Sequence, residues 1–179
     1  MKNALPPVTF VLGGARSGKS RHAEELIETT GAGLYLATAE AHDDEMAERI
    51  TRHQARRGEL WRTLEAPLAL AEALREHATA DRPVLVDCLT LWISNLMAAE
   101  RDVVAEVMAL CETLASLDGP VVVVSNEVGL GIVPTNDLAR RFRDLAGEAN
   151  QRVAAVADRV VFMTAGLPMV LKDEKEDNA

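Results

Sequence analysis

"VTFVLGGARSGKSRHAEELIE", residues 8–28, carries an architecture of its own. Val8 to Leu12 are apolar or β-branched, two glycines follow, and from Lys19 onward apolar residues recur with helical period, so the stretch reads as strand, loop and helix. The loop between them, "GGARSGKS", fits the pattern G-x-x-x-x-G-K-[ST] in the required context. Glycine at 13 and 18 lets the backbone curl and approach phosphate oxygens, with successive N–H groups and the helix N-terminus aimed at the anion. Gly13, Gly14, Ala15, Arg16, Ser17, Gly18, Lys19 and Ser20 are thus the expected phosphate cradle. Lys19 would neutralise the β- and γ-phosphates, and the Ser20 hydroxyl would ligate Mg²⁺.

The runs "GLYLAT" (33–38), "PVLVDC" (83–88), "PVVVVSN" (120–126) and "RVVFMTA" (159–165) repeat the first strand's character. They are continuously apolar rather than alternating, as strands covered on both faces are. Helical periodicity separates them in "DDEMAERITRHQARR", "PLALAEALREHA", "DVVAEVMALCETLASL" and "TNDLARRFRDLAGEANQRVAAVA", the last opened by a capping Thr or Asn. The predicted class is α/β: a mostly parallel sheet flanked by helices, in one P-loop nucleotide-binding domain over residues 1–172. Residues 173–179 are expected to be a disordered acidic tail. Asp87, at the end of "VLVD", sits where a second strand delivers a carboxylate to the Mg²⁺ shell, although a strand-terminal Asp also serves to cap a turn.

Composition narrows the partners. Nineteen Lys and Arg against 28 Asp and Glu leave a charge of −9, which argues against nucleic acid or an anionic membrane as the main target. Cys88 and Cys111 lack metal-ligand spacing and read as small buried apolar residues in a reducing compartment. No apolar run approaches the ~20 residues of a membrane span, and the phosphate loop begins too early to follow a signal peptide, so the cytoplasm is the expected location.

Against that acidic background "RITRHQARR", residues 49–57, is a block of positive charge without an acid. On a helix, His53 shares a face with Met46 and Ile50 and is bracketed by Arg49 and Arg57. Nearby cations disfavour its protonation and keep a ring nitrogen available as a nucleophile, while guanidinium groups suit phosphate oxygens. Spacing alone favours the plainer reading, a partly buried histidine on a helix whose arginines pair with Glu45, Glu48 and Glu59.

Taken in order, "GGARSGKSRHAEELI", "LYLATAEAHDDEMAERITRHQARR", "WRTLEAP", "LVDCLTLWISNLM" and "SNEVGLGIVPTNDLARRFRDLAGEANQRVAAVADRVVFMTAGLP" closely resemble the bifunctional adenosylcobinamide kinase / adenosylcobinamide-phosphate guanylyltransferases of cobalamin biosynthesis. The resemblance implies a RecA-like P-loop fold and a homotrimer. It also implies two reactions: phosphorylation of adenosylcobinamide, then transfer of GMP from GTP onto the resulting phosphate through a GMP-carrying histidine. His53 is the matching position. Thr38, Ala39 and Glu40 would line the nucleotide site, Gln54, Ala55, Arg56 and Arg57 would contact it, and Glu65 and Asp87 would make guanosine or metal-linked contacts. GTP, ATP as phosphoryl donor and Mg²⁺ are the implied small-molecule partners. Arg52 stands before His53 where other members carry His or another polar residue.

A phosphate loop does not choose among kinases, transferases and switches. A single-function small-molecule kinase is the alternative reading, with His53 structural. A guanine-nucleotide switch is disfavoured because no N-K-x-D motif is present and "SNEV" in the late strand does not replace it. Asn126 and Glu127, at the head of the glycine-containing segment "SNEVGLGIVPTN", are weaker substrate-contact candidates.

Overall fold

The computed structural model describes residues 5–40, 48, 58 and 60–173. The predicted helix over "DDEMAERITRHQARR", Glu48 apart, lies outside the described residues, as do His42 and residues 174–179.

The phosphate-loop strand β1 (Val8–Gly13) lies inside a seven-stranded sheet of order β3-β2-β4-β5-β1-β6-β7. Here β2 is Gly33–Ala37, β3 Trp61–Glu65, β4 Val84–Asp87, β5 Val121–Asn126, β6 Arg159–Thr164 and β7 Leu167–Asp173. Every pairing is parallel except that of β6 with β7. The predicted α/β class therefore holds, and the carboxyl ends of six strands converge on one edge.

Helices cover both faces because β1, β4 and β5 are apolar on both. On one face Phe10, Leu34, Leu36, Val86 and Val123 pack with Leu74, Trp92, Leu110 and Val153. These come from α2 (Leu70–His77), α3 (Leu89–Ala98), α4 (Val103–Ser116) and α5 (Asp137–Val156). On the other face Val11, Tyr35, Leu85, Val122, Val124 and Val161 pack with Ala23 and Ile27 of α1 (Lys19–Glu28). Of the two candidate caps for α5, Asn136 serves, its side-chain oxygen accepting from the Ala139 amide at 2.7 Å.

Four features differ from the sequence reading. Helix α3 follows β4 after a single residue and buries Leu89, Trp92, Ile93 and Leu96, so it presents no polar stripe for periodicity to detect. The edge strands β3 and β7 are largely exposed; β3 lacks a continuous apolar run, and the apolar start of β7 contains Pro168, so it does not read as an interior strand. Cys111 is only half-buried, whereas Cys88 is buried as expected. Lys172 and Asp173 are the last residues of β7, so the acidic tail does not begin at 173. The Lys172 ammonium donates to the carbonyls of Ala155 and Ala157 at the end of α5, at 3.2 and 2.5 Å. There a cation meets the negative end of the helix dipole, which ties the last strand to the helix.

Candidate functional site

The phosphate loop is shaped by backbone sterics. Arg16 and Gly18 both have positive φ, 56° and 94°, which reverses the chain twice within three residues. A Cβ on Gly13 would sit 2.6 Å from both the Met163 carbonyl oxygen and the Ser17 hydroxyl, so only glycine fits. Gly13→Ala is therefore expected to destabilise the protein by about 1–3 kcal/mol through overpacking and to weaken GTP binding. Thermal unfolding with and without nucleotide checks this, and an unchanged melting temperature with full nucleotide stabilisation would contradict it.

Helix α1 starts immediately after Gly18, with no side-chain cap and no acidic residue in its first turn. Its N-terminal amides and positive dipole end thus face the loop without a built-in competitor for an anion. Lys19 is buried at 8% exposure, and its ammonium donates to the Gly14 carbonyl at 3.0 Å, folding the side chain back over the loop. The loop is anchored from both neighbouring strands: the Glu127 amide donates to the Gly13 carbonyl at 3.0 Å, and the Gly166 amide to that of Ser17 at 3.0 Å.

Asp87 ends β4, one strand removed from β1, and lies level with Ala37 of β2 and Val124 of β5. Residues in one row of a parallel sheet point to one face. Asp87 therefore faces the α1 side, with Val124 and Tyr35. Its Oδ2 accepts the Tyr35 hydroxyl at 2.8 Å, a contact across 52 residues of sequence that no local pattern announces. Ser20 is in the first turn of α1, which packs over β1, β5 and β4. One hydroxyl and one carboxylate are hard oxygen donors of the kind Mg²⁺ takes, and no cluster of three His, Cys, Asp or Glu occurs among the described residues. This donor set fits a cation completed by nucleotide phosphates and water rather than an all-protein cage.

The other predicted positions separate by role. Glu65 ends edge strand β3 level with Ala37, exposed, two strands and so about 10 Å from Asp87. Ala39 is half-buried and Glu40 exposed at the end of β2's continuation, while His53, Gln54, Ala55, Arg56 and Arg57 lie outside the described residues. Thr38 is fully buried, and its hydroxyl donates to the Cys88 carbonyl and accepts from the Cys88 amide, both at 2.8 Å. Its side chain is thus committed to the corner where β4 passes into α3. Asn95 reinforces that corner by donating to the Thr38 carbonyl at 2.7 Å. Asn126 is likewise tied down, its amide donating to Thr90 Oγ1 at 2.7 Å, and its own carbonyl accepts from Asn150. These polar groups stiffen the ground beneath the loop; sequence reading missed Tyr35, Asn95 and Asn150 because their partners are remote in the chain.

Burial, and then the adjacent Asp87 charge, push the Cys88 thiol up to about 11, opposed by Thr90 and the Lys19 ammonium. The folded chain consequently retains a proton that the unfolded chain releases. That contribution to stability is present below the ordinary thiol pKa and is lost as pH rises from about 9 to about 11. Denaturant unfolding across this window should show stability falling more steeply in the parent than in Cys88→Ala; equal slopes would contradict the assignment.

Comparison with known proteins bears on this geometry. Residues 9–171 match the family model described as cobinamide kinase / cobinamide phosphate guanyltransferase. The chain is 53% identical to the bifunctional adenosylcobalamin biosynthesis protein CobP of Pseudomonas aeruginosa, over 92% of this chain and 97% of that one. It is 42% identical to the bifunctional adenosylcobalamin biosynthesis protein CobU of Salmonella typhimurium, over 91% and 98%. Among solved structures, the RadB recombinase superposes with a TM-score of 0.53 at 14% identity, covering 88% of this chain and 74% of its own. A type III secretion ATPase does so with a TM-score of 0.50 at 14% identity, covering 96% of this chain and 53% of its own. These two likenesses concern the fold alone, which is that of P-loop NTPases.

Proposed function

This chain belongs to the cobinamide kinase / cobinamide phosphate guanyltransferase family, and from that membership we propose that it carries out both reactions on adenosylcobinamide. The observation that carries this reading is that relatives named as bifunctional align over nearly their whole length with this chain, so no domain of theirs is missing from it. The phosphate loop, with Lys19 folded over it, is the geometry such a reading needs.

In the kinase step the loop amides and Lys19 hold the β- and γ-phosphates of ATP or GTP while the substrate hydroxyl attacks the γ-phosphorus. In the second step a ring nitrogen of His53 attacks the α-phosphorus of GTP. A P–N bond forms, the bond to the β-phosphate oxygen breaks, and pyrophosphate leaves. An oxygen of adenosylcobinamide phosphate then attacks the same phosphorus, the P–N bond breaks, and adenosylcobinamide-GDP is released with the imidazole regenerated. Dividing one transfer into two in-line displacements is the gain from a side-chain nucleophile. Lys19 and the N-terminal amides of α1 stabilise the charge that builds on the leaving group in both steps. Ser20 and Asp87 would hold Mg²⁺, which would supply further neutralisation of that charge.

Among the described residues no helix is long and apolar enough to cross a membrane. The family resemblance supports a homotrimer. Product analysis tests the activity: adenosylcobinamide, ATP, GTP and Mg²⁺ should yield adenosylcobinamide phosphate first and adenosylcobinamide-GDP with pyrophosphate second. Accumulation of the phosphate without any GDP product would leave the single-function kinase.

A further inference from the structure

We propose that Tyr35 is a positioning residue that fixes the Asp87 carboxylate for the metal of the bound nucleotide; this rests on the assignment of Asp87 to that metal. Tyr35 is 4% exposed and donates its hydroxyl to Asp87 Oδ2 at 2.8 Å. The two residues are on adjacent strands: Tyr35 pairs with Leu85 and Asp87 with Ala37, so the phenol reaches one step along the same face to meet the carboxylate.

The ring is itself held in place. It stands edge-on to the Trp61 indole, with centroids 6.0 Å apart and planes at 82°. The indole N–H in turn donates to Glu28 Oε1 at 2.9 Å, at the last residue of α1. Swinging the phenol away from Asp87 would therefore disturb both β3 and the far end of the helix that opens at the phosphate loop.

The choice of side chain is informative. Phenylalanine would fill the same apolar space and keep the contact with Trp61, so packing does not require the hydroxyl. A lysine or arginine would orient the carboxylate but also neutralise it. A phenol donates one hydrogen bond and leaves the full negative charge for a cation, which is how outer groups orient metal-binding carboxylates.

Tyr35 is the only tyrosine in the chain, so it reports on this site without background. In the parent protein labelled with [¹³Cζ]tyrosine, the single resonance is expected to shift when Mg²⁺ and a non-hydrolysable GTP analogue are added together, and not when the analogue is added with EDTA. Mn²⁺ titration followed by electron paramagnetic resonance, with the same analogue present, should show affinity weakened roughly 10-fold in Tyr35→Phe. The limiting kinase rate at saturating metal should be retained, and the melting temperature should stay close to the parent's.

Unchanged Mn²⁺ affinity in Tyr35→Phe together with an unmoved resonance would overturn the proposal and leave Tyr35 as packing. Asp87→Asn separates the two levels. If it weakens Mn²⁺ binding while Tyr35→Phe does not, only the positioning role fails; if it has no effect, the metal assignment and the positioning role fall together.

Discussion

His53→Ala is expected to abolish GMP transfer to adenosylcobinamide phosphate while leaving phosphorylation of adenosylcobinamide close to the parent rate. The loss should be on the order of 10⁴ to 10⁶ in turnover, the scale seen when a nucleophilic side chain is removed from a covalent mechanism. The selectivity carries the argument. A histidine that only packed or paired with glutamates would, when truncated, affect both reactions alike through stability. One that carries GMP is required in the second reaction alone, because the first needs only a positioned hydroxyl and a held γ-phosphate. Separate assays of ATP consumption with adenosylcobinamide and of pyrophosphate release from GTP with its phosphate would measure the two effects. Parallel loss of both, or retention of GMP transfer, would contradict the assignment.

Lys19→Ala is expected to reduce both reactions, each by about 10³. Its ammonium lies over the phosphate loop at 3.0 Å from the Gly14 carbonyl and close enough to Cys88, beside Asp87, to influence that thiol. A single cation so placed serves whatever nucleotide the loop holds. On the proposed mechanism, the charge that develops on a departing nucleoside diphosphate in one reaction and a departing pyrophosphate in the other would fall within its reach. A Lys19→Arg variant tests geometry as well as charge: guanidinium is larger than ammonium, and at 8% exposure Lys19 occupies a tightly filled position. Little recovery is expected from it. If Lys19→Ala impaired only one reaction, two separate phosphate sites would be required.

The pair of variants shows what could be read from the chain alone. The phosphate loop was legible because eight consecutive residues dictate strand end, turn and helix start together, and in the structure they run from the last residue of β1 into the first turn of α1. The interior strands were legible for a similar reason, since burial on both faces leaves a continuous apolar run. Edge strand β3 leaves no such mark, the apolar run of β7 is broken by Pro168, and α3, apolar on most of its circumference, leaves no period.

At the site, sequence pointed to Asp87 but not to Tyr35, which meets it only because the sheet order brings β2 beside β4. The resemblance places Thr38 at the nucleotide, and the structure adds that the Thr38 hydroxyl is engaged by the backbone of Cys88. Long-range contacts of this kind are set by topology, which local pattern does not encode. The basic stretch around His53 was legible as chemistry only through the family's ordered segments; its spacing alone served two readings.

The central claim is that His53 carries GMP, and the most direct measurement is the intact mass of the protein after incubation with GTP and Mg²⁺ without corrinoid. The parent should gain the mass of one GMP, stable in alkali, released by acid, and discharged when adenosylcobinamide phosphate is added; His53→Ala should gain nothing. An unmodified parent under conditions where GMP transfer proceeds, or an equal adduct on His53→Ala, would contradict the account.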